Sequence, residues 1–278
     1  MSTSEFSLPE LFAFDLDGTL LTTDKQITSQ TIAALREMHE TGAKIVFASG
    51  RMAESIAQYL YHFGFPIAIL ALNGADVYTD FSSNTSIYSA PLASDTTEIL
   101  LDFEEQEDIA LNFYIDGKLY ARENDHNEPW LQLYRDQTGS NYTIIDSFTS
   151  LRGTTPSKII FVSSPEKLDQ LQNKFTAEFG DSVYICRTWD YYLEFLSPAA
   201  NKGIGLSKLA EHFKIPLSRT IAFGDAENDI PMFAAAGRSI APRNASDTVK
   251  NAASYISKFD NNQNLIPHEW ERIRMGNS

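Results

Sequence analysis

One cysteine in 278 residues, Cys186, rules out an internal disulfide and a cluster of thiolate metal ligands. Long apolar runs are missing as well. The longest, Ile67 to Leu72, is strand-length and far short of the roughly 20 apolar residues that span a bilayer. Positive charge is scarce: 22 Lys and Arg stand against 37 Asp and Glu, a net charge of −15. That balance argues against nucleic acid and acidic membrane surfaces as partners, since both need a positive footprint. The five histidines, His39, His62, His126, His212 and His268, show no metal-ligand spacing. The opening MSTSEFSLPE has no basic start followed by an apolar core, so no signal peptide is expected and the cytoplasm is the expected compartment.

What is present is core-forming material. The apolar share is 43%, with 12% aromatics, enough for one large domain or two modest ones. Leu11 to Phe14 reads as a buried strand, Thr28 to Thr41 as a helix stopped by Gly42, and Lys44 to Ala48 as a second strand. Met52 to Phe63 follows as a helix and Ile67 to Leu72 as a third strand. Such alternation with short joints predicts a parallel α/β sheet. From about Asp76 to Trp189 the pattern changes to hairpins mixed with helices, with Asp116-Gly117 as a two-residue turn. Afterwards a helix over Lys202–Phe213, a strand over Thr220–Phe223 and a helix over Asp229–Ala236 resume the first pattern. The expected layout is a core of residues 1–82 and 190–278, interrupted by an inserted α+β domain over 83–189.

Four junctions carry chemistry. Asp15-Leu16-Asp17-Gly18-Thr19-Leu20-Leu21 follows the first strand, and carboxyl ends of parallel strands are where open α/β sheets place their sites. If the chain stays extended, Asp15 and Asp17 aim their carboxylates at one place. Two close carboxylates need a cation, and magnesium is a hard, oxygen-loving one. The plain alternative is a solvated acidic loop. A calcium-binding EF-hand loop is excluded, because Leu20 and Gln26 stand where it needs Gly and Glu. Ala48-Ser49-Gly50-Arg51 ends the second strand with a hydroxyl and a glycine, suited to a phosphate oxygen or simply to a cap. Lys202 sits in the first turn of its helix, where the dipole disfavours a cation unless an anion lies nearby. Its glycines do not complete G-x-G-x-x-G, since Lys208 takes the third position. Gly224-Asp225-Ala226-Glu227-Asn228-Asp229 supplies more acids than one helix cap requires.

At these four segments the chain resembles the haloacid dehalogenase-like phosphatases, and within them the Cof-type subgroup. The resemblance covers the whole chain in order. It implies a Rossmann-like parallel-sheet core with an inserted α+β cap domain after the third strand. By resemblance Asp15 is the nucleophile, Asp17 the general acid/base, and Lys202 the lysine that steadies nucleophile and phosphate. Ser49 and Gly50 match the phosphate-binding segment, and Asn73, Gly74 and Asn228 match positions bordering the substrate. Magnesium would be held by Asp15, the backbone carbonyl of Asp17, and Asp225, with Asp229 close by. One departure stands out: Ala241-Pro242-Arg243-Asn244-Ala245 replaces a small residue of the subgroup with Arg243, which would meet either a second anion or solvent.

The implied reaction is hydrolysis of a small organic phosphate monoester, a sugar phosphate or similar metabolite, through an aspartyl phosphate on Asp15. For that chemistry Asp17 must start protonated, so a raised pKa is expected. In the cap, Tyr114, Arg187, Trp189 and Glu194 are the expected contacts to substrate. A phosphotransferase or phosphomutase acting on sugar phosphates, or a non-catalytic sensor of a phosphate ligand, are the competing readings. The four motifs do not separate transfer from hydrolysis, and neither the substrate nor the oligomeric state is legible.

Overall fold

A computed structural model describes residues 8–81, 86–124 and 126–276. The chain opens with β1 (Leu11–Asp15), α1 (Ser29–Glu40), β2 (Lys44–Ala48), α2 (Ala53–Ala57), β3 (Ala68–Ala71), β4 (Asp76–Tyr78) and β5 (Ser86–Ser89). It continues through α3 (Ser94–Glu107), β6 (Ala110–Ile115), β7 (Lys118–Arg122), α4 (Glu128–Thr138), β8 (Tyr142–Ile145) and β9 (Lys158–Val162). Next come α5 (Pro165–Phe179), β10 (Tyr184–Trp189) and β11 (Tyr192–Leu196). It closes with α6 (Lys202–Phe213), β12 (Thr220–Phe223), α7 (Ile230–Ala235), β13 (Arg238–Ala241), α8 (Asp247–Ala252), β14 (Tyr255–Ile256) and α9 (Leu265–Arg274).

Contacts divide the chain into two compact units, residues 1–88 with 201–278, and residues 89–200. The later edge falls eleven residues beyond the expected 189, because β10 pairs antiparallel with β11, Trp189 opposite Tyr192. A break at 189 would cut one hairpin in two. The expected earlier edge, between 82 and 83, lies outside the described residues.

In the first unit, strands stand in the order β14-β13-β12-β1-β2-β3-β4-β5 among the described residues. From β14 to β3 every neighbouring pair is parallel, while β4 runs antiparallel to β3. Parallel strands are covered on both faces, so they read as continuous apolar runs. All five residues of β1 are buried. Leu11 and Ala13 pack with Val46, Leu70, Leu206 and Met232 on one face. On the other, Phe14 stacks on Phe223 at 4.9 Å and Phe12 meets Trp270 edge-on at 5.9 Å. Because β1, β2 and β12 are parallel neighbours, their carboxyl ends share one edge of the sheet. Asp15, Ser49 and Gly224-Asp225 lie at that edge.

The second unit has its own sheet, ordered β10-β11-β9-β6-β7-β8. One face packs on α3 and α5 through Phe113, Phe161, Phe175 and Phe195. The helix expected over 52–63 stops at Ala57 and tightens into a 3₁₀ turn over Leu60–His62. Tyr59, Tyr61, His62 and Phe63 crowd this stretch, and such rings favour helices weakly. Among the described residues no helix is long and apolar enough to cross a membrane.

Candidate active site

Asp15 ends β1, and its side chain is buried. Lys202, at the first position of α6, is fully buried and reaches it: Nζ lies 2.6 Å from Asp15 Oδ1. The same Nζ lies 2.6 Å from Oδ1 of Asp229, also fully buried. The other Asp229 oxygen accepts the backbone N–H groups of Asp225 and Ala226, each at 3.0 Å, which sets the turn after β12. Asp225 Oδ1 accepts the Thr19 hydroxyl at 2.8 Å. Gly18 makes this approach feasible. Its φ is +88°, and a Cβ there would lie 2.3 Å from Asp225 Oδ2.

Asp15, Asp225 and Asp229 each offer an oxygen within 4.8 Å of the others. Two buried carboxylates, Asp15 and Asp229, thus share one ammonium, with the half-buried Asp225 beside them. Burial and the charge of Asp229 push Asp15 well above the usual carboxylate range, against the pull of Lys202. Burial likewise raises Asp225 to about 6, opposed by the Thr19 hydrogen bond. Burial would lower the Lys202 pKa, but Asp15 and Asp229 outweigh it and raise it. The surplus of negative charge and the all-oxygen donor set fit a hard divalent cation such as magnesium.

Asp17 departs from expectation twice. Its carboxylate is turned away from this cluster. Arg51 grips it with two bonds, Nε to Oδ2 at 2.7 Å and Nη2 to Oδ1 at 2.6 Å, and Lys25 Nζ adds a third at 2.6 Å. The chain does not stay extended after Asp15: the Leu16 carbonyl accepts the N–H groups of Thr19 and Leu21, at 3.4 and 2.8 Å. Nor is the Asp17 pKa raised. Burial pushes it up, but Arg51 and Lys25 outweigh burial and hold it below the usual range.

Ser49 is buried at the end of β2, with its Oγ accepting the Arg51 N–H at 3.2 Å. Asn73 is buried beside Gly50, whose Cβ would come 3.2 Å from Asn73 Oδ1. Asn228 Nδ2 donates to that oxygen at 2.9 Å. Among the described residues this leaves Asn73 Nδ2 and Asn228 Oδ1 buried without a partner, one a donor and the other an acceptor. Buried orphans of this kind call for a ligand or water. Gly74 instead abuts α6: a Cβ there would meet the Asn201 carbonyl oxygen at 2.5 Å.

In the second unit Tyr114 is buried, its hydroxyl bonded to that of Tyr134. Glu194 is buried against Lys158 at 3.2 Å. Arg187 pairs with Asp169 at 2.8 Å, and Trp189 is 54% exposed. Arg243 pairs with Asp260 at 2.5 Å at the surface. Sequence reasoning missed Arg51, Lys25 and Thr19 as partners of the site's acids and gave Asp229 only a place nearby. For Asp229 the surplus of acids after β12 was the available signal.

The chain belongs to the haloacid dehalogenase-like hydrolases, whose family pattern matches residues 12–268. It is an enzyme of the phosphatase class within that family. A Yersinia pestis protein named HMP-PP phosphatase is 30% identical over 240 residues, 86% of each chain. A crystal structure from Thermotoga maritima superposes with a TM-score of 0.86 at 28% identity, covering 95% of this chain and 97% of that one. A haloacid dehalogenase-like hydrolase from Bacteroides thetaiotaomicron gives 0.85 at 26% identity, covering 95% and 99%.

Proposed function

We propose that the protein is a magnesium-dependent phosphatase hydrolysing a small organic phosphate monoester through an aspartyl phosphate on Asp15. The observation that carries this is the cluster of Asp15, Asp225 and Asp229, with Lys202 Nζ bonded to Asp15 and Asp229. Asp15, Asp225, Asp229 and the Asp17 carbonyl would hold magnesium, which when bound neutralises charge on phosphoryl oxygens.

Asp15 Oδ attacks phosphorus and forms the acyl phosphate, while the ester oxygen leaves as an alcohol with a proton from Asp17. Water then attacks phosphorus, Asp17 takes its proton, and the Asp15–phosphorus link breaks. Lys202 holds Asp15 in place and offsets phosphoryl charge. Ser49 Oγ, the Gly50 backbone and the Asn73 Nδ2 amide donate to phosphate oxygens, while Asn228 Oδ1 accepts from a substrate hydroxyl or a water. To act as an acid, Asp17 must leave Arg51 and Lys25 and take up a proton.

The insert is read as the cap that selects the leaving group. The compartment is read as the cytoplasm and the partners as small phosphorylated metabolites. A screen of such metabolites with magnesium, read as free phosphate, tests the assignment. Sugar phosphates, pyridoxal phosphate, flavin mononucleotide and the substrate named for the Yersinia relative belong in it. Asp15→Asn is expected to abolish release; wild-type turnover by that variant overturns the assignment. Release without an added acceptor separates hydrolysis from transfer.

A further inference from the structure

The segment after Asp17 is held by side chains more than 200 residues away. Asn244 Nδ2 donates to the Gly18 carbonyl at 2.9 Å, and Asn261 Nδ2 to the Leu21 carbonyl at 2.9 Å. Asn262 Oδ1 accepts the Thr23 N–H while its Nδ2 reaches the Thr23 hydroxyl, both at 2.9 Å. The Thr28 hydroxyl donates to Asn264 Oδ1 at 3.1 Å.

The gripping loops are themselves sewn together. The Arg243 N–H donates to the Phe259 carbonyl at 2.9 Å, and the Asn262 N–H to Asp260 Oδ1 at 3.0 Å. The Asn261 N–H meets Asn244 Oδ1 at 3.4 Å, which leaves the Asn244 amide nitrogen to face Gly18. Gly18 is the most permissive link in the segment, at φ +88° and without a side chain to anchor it. Three successive residues are therefore held from three directions: Asp17 by Arg51 and Lys25, Gly18 by Asn244, and Thr19 by Asp225.

We propose that Asn244 is a positioning residue, whose bond to the Gly18 carbonyl fixes the loop from which Asp17, once released by Arg51 and Lys25, turns to the reacting groups. This rests on the reading of Asp15 and Asp17 given above. The segment flagged in the sequence for Arg243 acts through its neighbour, while Arg243 only ties the gripping loops together.

The test compares Asn244→Ala and Asn244→Asp with wild type on a generic aryl phosphate at saturating magnesium. Gln263→Glu, an exposed neighbour, controls for the added charge. Asn244→Asp is nearly isosteric but turns an acceptor toward the Gly18 carbonyl. The expected order of kcat is wild type, then Ala, then Asp, with Asp lowered about tenfold or more, as small misplacements of reacting groups allow. KM and the thermal unfolding midpoint stay near wild type in both. If Asp turns over like wild type, if KM moves while kcat holds, or if Gln263→Glu falls as far, the proposal is overturned. A wild-type protein that releases no phosphate from any ester fails the phosphatase reading and this one with it; full activity in all Asn244 variants fails this one alone.

Discussion

Lys202 is the residue on which the electrostatics of the site turn. Without it, Asp15 and Asp229 would lose the cation that both bond, and the negative charge of the cluster with Asp225 would stand unopposed there. Removing one partner of a buried ion pair costs about 3–5 kcal/mol, because the remaining charge is stranded. Lys202→Met, which keeps most of the stem, is expected to lose that much stability by denaturant unfolding without magnesium. Its kcat should fall at least about 100-fold, the scale for losing one donor to developing charge. Magnesium at 100 times its dissociation constant would return about 2.7 kcal/mol to whichever form binds it, so wild type should gain a higher unfolding midpoint. A midpoint unmoved by magnesium would count against the metal reading. At this scale the sequence was informative where a side chain sits at a forced place. Asp15 ends a strand, Ser49 and Asp225 follow strands, and Lys202 opposes a helix dipole. It was silent on the pairing of Arg51 with Asp17, which are 34 residues apart and meet only once the chain turns at Leu16.

The element that delivers Lys202 is α6, and Gly203 lets it come close. A Cβ on Gly203 would lie 2.3 Å from the Pro231 carbonyl oxygen of α7, so helix and helix touch backbone to side-chain-free backbone. Gly203→Ala is expected to push α6 outward, costing about 1–3 kcal/mol as overpacking does, and to lower kcat by displacing Lys202. Gly64→Ala, where a Cβ meets nothing within 4 Å, should change neither. Equal effects from both, measured by thermal unfolding and initial rates, would show that the approach of α6 to α7 is not tight. Most elements of the first unit were legible because parallel strands are continuous apolar runs and helices alternate with them. Tyr192–Leu196 was not read as a strand. Its Glu194 interrupts the apolar run, and only the fold supplies Lys158 to pair with it.

At the level of the whole molecule, each unit carries its own hydrophobic core. Leu206, Leu209, Met232 and Phe233 belong to the first, and Leu100, Phe161, Phe175 and Phe195 to the second. Ile87 and Tyr88 pack on the first core, and Asn201 caps α6 through the Ile204 N–H, so the chain leaves and re-enters that unit at anchored points. The carboxylate cluster, Lys202, Ser49, Asn73 and Asn244 all lie within residues 1–88 and 201–278. Replacing residues 89–200 with a short Gly/Ser linker should therefore leave a cooperatively folding unit, since a flexible link costs little loop entropy. That shortened protein is expected to keep hydrolysing a generic aryl phosphate, because the reacting groups remain. It should lose preference among metabolites if the insert reads the leaving group, which a comparison of kcat/KM ratios across the same screen will measure. Full retention of the wild-type ranking would place selection in the first unit instead, and loss of aryl phosphate hydrolysis with the fold intact would mean that the insert supplies chemistry and not only choice.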